Sequence, residues 1–414
     1  VGFKFIHAAD LHIDSPMLGL EEYEGAPVND IRSATRRAVE NLVQLANDKQ
    51  VDFVILAGDI YDGDWDDYNT GLFFLRQMHA LNCEVVLISG NHDAQSKMTK
   101  TLTLPNKVHW LSANKPNTHT NDELRVAIHG QSYKTRAVTD DLSQSYPAPV
   151  TGYFNIGVLH TSADGREGHA NYAPCSVENL RAFGYEYWAL GHVHTRECLS
   201  EDPPIHFPGN TQGRHIRETG AKGCLVVTVD GAEITTDFEP LDVARWEVCS
   251  VQADTDDTFE DVLAKVEEAL ADASDCAEGR TLAVRVEITG RSAAYESIKG
   301  APEHFLNEVR ARSLSTNAPI WIETAKLLLE PAESRSPSDD DGPWEELDAA
   351  VEELASTDDE ELLARTNNLD ALKKKLGAAL GSRDDIAAVR EPDALREWMR
   401  GARPLIQQIG EARE

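Results

Sequence analysis

Five short runs rich in apolar and β-branched residues, at 3–8, 53–57, 85–88, 154–159 and 185–190, read as buried strands, too short to be core helices. Between the first three the period changes to that of a helix, over 31–49 (Ala34, Ala38, Leu42 and Leu45 on one face) and over 68–81. Strand and helix alternating in this way predict a largely parallel sheet flanked by helices. Strand-like segments at 124–129, 225–229 and 234–238 would complete a two-sheet α/β sandwich with helices on its outer faces, spanning residues 1–240. The pattern then changes. Strands at 246–251, 282–288 and 320–328 alternate with helices at 259–270 and 302–313, which predicts a small α+β capping domain over 241–331. Residues 332–343 contain SRSPSDDDGP, poor in apolar side chains and rich in breakers, and read as an acidic linker. Beyond it, at 344–414, thin apolar stripes (Trp344, Leu347, Val351, Leu354, then Leu369, Leu372, Leu376, Leu380) predict a helical C-terminal tail that needs a partner surface to cover it.

Composition narrows the setting more than the function. The 414 residues are 41% hydrophobic and 27% charged, which suits a globular chain with a substantial core and excludes a fibrous or wholly disordered one. No uncharged apolar run approaches the roughly 18 residues of a membrane span, and the first residues lack a basic flank and long apolar stretch, so a cytoplasmic protein is the expectation. The six cysteines form no CxxC pair and read as reduced thiols. A net charge of −32 counts at first against a polyanionic substrate. That charge is uneven: residues 331–364 hold 13 acidic side chains against one basic, and 365–414 hold 8 against 10. Cations bound in a cleft would add positive charge that this count omits, so a phosphate substrate stays open.

Polar residues interrupt the five strands in a consistent place. The first runs into Asp10 and His12, the second into Gly58, Asp59 and Asp62, the third into Gly90, Asn91, His92 and Asp93, the fourth into His160, the fifth into Gly191, His192 and His194. All lie at carboxyl ends, where open α/β sheets bind ligands, so residues distant in sequence can share one pocket. Asp10, Asp59, Asn91, His12, His160, His192 and His194 supply oxygen and imidazole nitrogen without sulfur, a set suited to manganese, iron or zinc. Seven donors exceed what one ion with an open position needs. They suit two ions about 3.5 to 4 Å apart, the arrangement that clamps the attacking and leaving oxygens of a phosphoryl displacement. The glycines before these donors are expected to adopt positive φ or to allow close backbone approach.

The set Asp10-x-His12, Gly58-Asp59-x-x-Asp62, Gly90-Asn91-His92-Asp93, His160 and Gly191-His192-x-His194 resembles the calcineurin-like metallophosphoesterase superfamily in order and spacing. HAADLHIDSP at 7–16, LISGNHD at 87–93 and FPGNTQGRHIRETGAKG at 207–223 are similar to its DNA repair exonuclease branch, of the SbcD and YhaO type. The resemblance covers 1–240 and a capping domain similar in kind, and nothing beyond 331. It implies two divalent metal ions, manganese above all. Asp10, His12, Asp59 and His194 would hold the first, Asp59, Asn91, His160 and His192 the second, with Asp59 shared. It makes His92 the catalytic residue that stabilises the transition state or protonates the leaving oxygen. Many members carry a His where this chain has Asp62, so Asp62 is left to orient a ligand or a water. The implied chemistry is attack on phosphorus by a metal-activated hydroxide, in a DNA nuclease with 3′ to 5′ exonuclease and possible endonuclease action. The implied partners are DNA, a large ATPase with a coiled-coil arm (SbcC-like or YhaN-like) and a second copy of the chain.

Other polar residues have plainer readings. Asp93, Asn210 and Arg214 stand near the expected pocket, either supporting its ligands or meeting substrate, and Arg214 is equally readable as an ion-pair partner. His7 and His129 read as hydrogen-bonded core histidines, His109 and His119 as ordinary surface or loop residues, and His169 as a residue near substrate. Two other functions fit the same motifs: a phosphoesterase of nucleotides or small esters, and a DNA-binding scaffold subunit with vestigial hydrolysis.

Overall fold

The computed structural model describes residues 2–17, 26–62, 68–94, 103–165 and 172–332. The expected linker, the tail helices and His169 fall outside them.

The first sheet is built from β1 (Phe3–Ala8), β2 (Phe53–Ala57), β3 (Glu84–Ile88) and β4 (Val108–Trp110). The second takes β5 (Asn117–Asn121), β6 (Val126–Gly130), β7 (Phe154–His160), β8 (Tyr187–Gly191), β9 (Glu197–Glu201) and β10 (Pro204–Phe207). The chain then returns to the first sheet with β11 (Gly223–Asp230) and β12 (Glu233–Pro240). The orders are β12-β11-β1-β2-β3-β4 and β5-β6-β7-β8-β10-β9. Strands β1 to β4 are mutually parallel, as are β6, β7, β8 and β10, while β11, β12, β5 and β9 run antiparallel to their neighbours.

The alternation of side chains along a strand explains the layering. Phe5, Phe53, Ile55, Val86 and Ile88 of the first sheet meet Ile128, Ile156, Val158 and Tyr187 of the second in a core between the sheets. The intervening residues Ile6, Val54, Leu56, Val85 and Leu87 face outward and are covered by α2 (Ala34–Asp48) and α3 (Tyr68–Ala80), through Leu42, Val39, Phe74 and Met78. On the far side Leu159, Trp188, Leu190 and Phe207 are covered by α4 (Val177–Ala182) through Leu180, with Tyr146 and Tyr185 beside it. Burying both faces of the central strands is why they read as continuous apolar runs. One expected helix divides in two: α1 (Val28–Arg32) stops at Ser33, whose hydroxyl donates to the carbonyl of Asn29 at 2.8 Å, and α2 begins anew. The edge strands β4, β5 and β9, and the four-residue β10 between β8 and β9, are too short or too polar to have been expected.

A third, wholly parallel sheet follows, β13 (Ala244–Ala253), β14 (Thr281–Ser292) and β15 (Ile320–Pro331). One face packs on α5 (Phe259–Asp275) and α7 (Pro302–Ser313), through Val262, Val266, Phe305 and Val309, with α6 (Tyr295–Gly300) alongside. Thr258 and Asp261 form a reciprocal cap that starts α5. The opposite face presents Ala244, Trp246, Ala283 and Trp321 to Ile31 and Ala34. The loop over 210–220 is bolted to this sheet: Gln212 Oε1 accepts from the amides of Val243 and Ala244 at 3.0 and 3.2 Å, and Trp246 Nε1 donates to the Gly213 carbonyl at 3.1 Å. No described helix is long and apolar enough to cross a membrane.

Candidate metal centre

Parallel β1, β2 and β3 end side by side, and so do β7 and β8 with His160 paired to Gly191, so the residues after each strand converge beyond the carboxyl ends. Backbone bonds continue past the strands: the amides of Asp10, His12 and Ile13 donate to the carbonyls of Gly58, Asp59 and Ile60 at 3.0, 3.1 and 3.0 Å. All seven expected donors come together. Asp10, His12 and His194 form one group and Asp59, His160 and His192 a second. Asn91 Oδ1 lies 3.0 Å from His160 Nε2, and Asp59 Oδ2 lies 3.4 Å from His160 Nε2 and 3.8 Å from His12 Nε2. Asp59 therefore stands between the groups.

The backbone is strained here. Asp10, His12, Asp59 and His192 have φ of 53°, 40°, 51° and 101°, a region that costs a non-glycine residue about 1 to 3 kcal/mol. Of the three glycines expected to adopt positive φ or to allow close backbone approach, only Gly58 has positive φ, at 97°. Gly90 and Gly191 serve by close approach instead. A Cβ on Gly90 would collide with the Asp59 carboxylate and the His160 ring, and one on Gly191 with the Ala57 carbonyl.

The proton arrangement tests whether this set suits cations. Nδ1 of His194 lies 2.6 Å from Glu218 Oε1, which places its proton there and leaves Nε2 a lone pair. That lone pair is 3.2 Å from Nε2 of His12. If His12 donates it from Nε2, its own Nδ1 lone pair faces Asp62 Oδ1 at 3.4 Å, and if it carries its proton on Nδ1, two lone pairs face each other. Neither tautomer satisfies both ends, and His12 Nδ1 makes no hydrogen bond. Both rings are held neutral: burial lowers His194, and burial with the nearby Arg214 charge pushes His12 down to about 3. Nδ1 of His160 meets the Ala57 carbonyl at 2.9 Å, which directs Nε2 toward the Asn91 and Asp59 oxygens. Burial disfavours charge on His160, yet Asp59 more than offsets it and pushes the imidazole up to about 9. Converging acceptors of this kind call for a cation, and the residues fit a pair of divalent metals.

Other expected residues take supporting places. Asp93 is buried and accepts from the amides of Ile60, Tyr61 and Gly90 at 3.1, 2.9 and 2.9 Å, tying the two donor loops together. His92 sits at the rim, 27% exposed, with its amide on Asp59 Oδ1 at 2.9 Å and Nδ1 3.1 Å from Asp62 Oδ1. Asp62 also accepts from the Ser15 hydroxyl at 2.8 Å. Arg214 reaches Glu218 Oε1 at 3.3 Å and Asp62 Oδ1 at 3.5 Å, which favours its ion-pair reading. Asn210 is fully buried and donates to Glu218 Oε2 at 2.9 Å, so it braces the site from behind. His7 and His129 are core histidines: His7 bonds Tyr187 and the Leu190 carbonyl at 3.0 Å each, and His129 meets Thr118 and Asn155 at 2.8 and 3.1 Å.

Sequence reasoning missed Glu218. Its carboxylate joins His194, Arg214 and Asn210, and also accepts from the Arg214 amide at 2.7 Å. The available signal was an acidic residue inside an otherwise basic segment, RHIRETGAK. His109 and His119 are not loop residues: they lie in β4 and β5 and stack on each other.

A two-sheet sandwich whose strand ends gather carboxylate, amide and imidazole donors, with one aspartate standing between two donor groups, defines a metal-dependent phosphoesterase. Residues 3–196 match the family model for calcineurin-like phosphoesterases, and residues 246–330 match that of the metallophosphoesterase YhaO middle domain. The chain is 32% identical over 326 residues to the uncharacterized metallophosphoesterase YhaO of Bacillus subtilis (strain 168), covering 77% of this chain and 79% of that one. This chain belongs to the calcineurin-like metallophosphoesterases. Among solved structures it is similar to a dimetal phosphatase from Danio rerio, with 11% identity, a TM-score of 0.37, and coverage of 58% of this chain and 96% of that one.

Proposed function

We propose that the protein is a manganese-dependent DNA nuclease, a 3′ to 5′ exonuclease with endonuclease capacity, acting with a coiled-coil ATPase partner. The observation that carries the phosphodiesterase reading is His92, exposed at the rim of a buried donor cluster with its Nδ1 engaged by a carboxylate. A diester departs as an alkoxide, which needs a proton, and with Nδ1 on Asp62 the other ring nitrogen of His92 is placed to give it. When bound, two divalent cations supply Lewis-acid polarisation of the phosphoryl group and bring the pKa of water toward neutrality. The chain's own residues do the rest. Asp59 stands between the two donor groups, 3.4 Å from His160 Nε2 and 3.8 Å from His12 Nε2, Glu218 fixes the ring of His194, and Asp93 locks the loops bearing Asp59 and Asn91. Choice of DNA as substrate rests on the likeness of segments 7–16, 87–93 and 207–223 to the DNA repair exonucleases.

The test is incubation with labelled single- and double-stranded DNA and with a nitrophenyl phosphodiester, with and without Mn²⁺, beside His92→Ala and Asp59→Asn. Mn²⁺-dependent DNA cleavage that disappears in both variants is expected. Turnover of the small ester with DNA left intact would move the assignment to nucleotides or small phosphoesters, and DNA binding without turnover of either would make the protein a scaffold. Docking of the ATPase through residues 344–414 is part of the same proposal. A chain ending at residue 333 that still holds the ATPase at full affinity would remove it.

A further inference from the structure

A second group of potential ligands lies away from the metal centre, at one edge of the sandwich. Glu84 begins β3, His109 is central in β4, and His119 is central in β5. His109 pairs with Val86 and His119 pairs with Ile128, and both apolar partners belong to the core between the sheets. Paired residues share a face, and Glu84, two before Val86, shares it too. All three polar side chains therefore point into the gap between the sheets, where neighbouring positions hold apolar ones. The place is also where the chain crosses over, since β4 is the edge strand of the first sheet and β5 that of the second.

Glu84 gathers the group. Its Oε1 is 3.7 Å from His109 Nε2 and its Oε2 is 3.3 Å from His119 Nε2, while Asn121 Nδ2 donates to Oε2 at 3.2 Å and steadies the carboxylate. The imidazole rings stack with centroids 3.7 Å apart at 22°. His109 Nε2 is buried and makes no hydrogen bond. One ligand atom from each residue lies within 4.8 Å of the others. Tetrahedral zinc at bonds of about 2.0 to 2.2 Å draws its ligands closer than that, so binding requires the three side chains to close on the ion. All three side chains keep some contact with solvent, at 29%, 17% and 37% exposure for His109, His119 and Glu84, which leaves room for water as a further ligand.

We infer that Glu84, His109 and His119 form a binding site for a divalent transition metal of the zinc type, which clasps β4 to β5 and so ties the two sheets at their crossover. Two imidazoles and one carboxylate without thiolate suit zinc, nickel or copper over calcium or magnesium. The inference does not depend on what the catalytic cluster hydrolyses.

The test counts zinc in the full chain. Protein stripped with chelator is equilibrated with excess ZnCl₂, freed of unbound metal by gel filtration, and its metal content measured by mass spectrometry, as wild type, as Glu84→Gln and as His109→Ala/His119→Ala. The same three forms are repeated with Asp59→Asn to remove binding at the catalytic cluster. The expected result is one zinc ion fewer per chain in both cluster variants on either background, with an unfolding midpoint that rises with zinc in the wild type and not in Glu84→Gln. Equal zinc content in wild type and Glu84→Gln, with matching circular dichroism, would overturn the site. Glu84→Gln preserves the shape of the side chain, so the comparison survives even if the double alanine variant fails to fold.

Discussion

The carboxylate of Asp62 stands 3.1 Å from Nδ1 of His92 and 3.4 Å from Nδ1 of His12, joining the partly exposed imidazole at the rim to a buried one inside the donor cluster. Burial lowers the pKa of His92, but the Asp62 hydrogen bond and the charge of Asp59 outweigh it and leave it raised. The protonated, acid-competent ring therefore persists to higher pH and is lost as pH rises through that raised value. Asp62→Asn removes part of the support, so the alkaline limb of kcat should move to lower pH, and kcat should fall about 10- to 100-fold, a part of the roughly 10²- to 10⁴-fold that general acid catalysis contributes. A pH profile of phosphodiester turnover checks it; an unmoved alkaline limb would detach Asp62 from His92.

Glu218 acts through His194. Burial alone would raise its carboxyl, but the His194 hydrogen bond and the Arg214 charge hold it well below the usual carboxylate range. Glu218→Gln should weaken metal binding about 10- to 100-fold, as removal of a ligand's hydrogen-bond partner does. Activity should recover at high Mn²⁺ with nearly normal kcat, and calorimetric metal titration should show the same loss of affinity. Because the folded pKa is depressed, the stability Glu218 contributes is present above its unfolded value of 4.5 and is lost as pH falls. The Gln variant should accordingly lose less stability on acidification than the wild type.

Asp93 makes a stability prediction. Asp93→Ala strands three backbone amides in a buried place, at a cost of at least about 3 kcal/mol. The urea midpoint should drop accordingly. An unchanged midpoint would mean that the loops after β2 and β3 are held by something else.

At Gly90 the prediction concerns geometry. A methyl group would press on Asp59 and on the His160 ring, both inside the donor cluster. Gly90→Ala should cut turnover at least about 100-fold, since a displacement near 1 Å has that effect, and reduce bound metal while the circular dichroism spectrum stays native. Full metal content with full turnover would show that the cluster tolerates the shift.

Much of this was legible in the order of residues. Runs such as Phe53–Ala57 (FVILA) and residues 156–159 of β7 (IGVL) are apolar at every position because both faces are covered, and the polar residue that follows marks the end of the strand. Asp59, Asn91, His160 and His192 are thus legible in the sequence as residues of one rim. The edges were harder to read. Strand β5, Asn117–Asn121, has the sequence NTHTN, with no apolar residue, because an edge strand is specified by its neighbour's hydrogen bonds more than by its own hydrophobicity.

What the sequence by itself determined is the donor set, the sheet class and the strand ends that carry the donors, since these follow from local patterning and from the chemistry of each side chain. What only the tertiary structure decided is where protons and strain reside. Glu218 reached His194 through a loop held by the third sheet, the positive φ fell on Asp10, His12, Asp59 and His192 more than on the glycines, and His109 met His119 across two different sheets. Each of these depends on packing between segments far apart in the chain, and a linear pattern carries no record of which distant surfaces will press together.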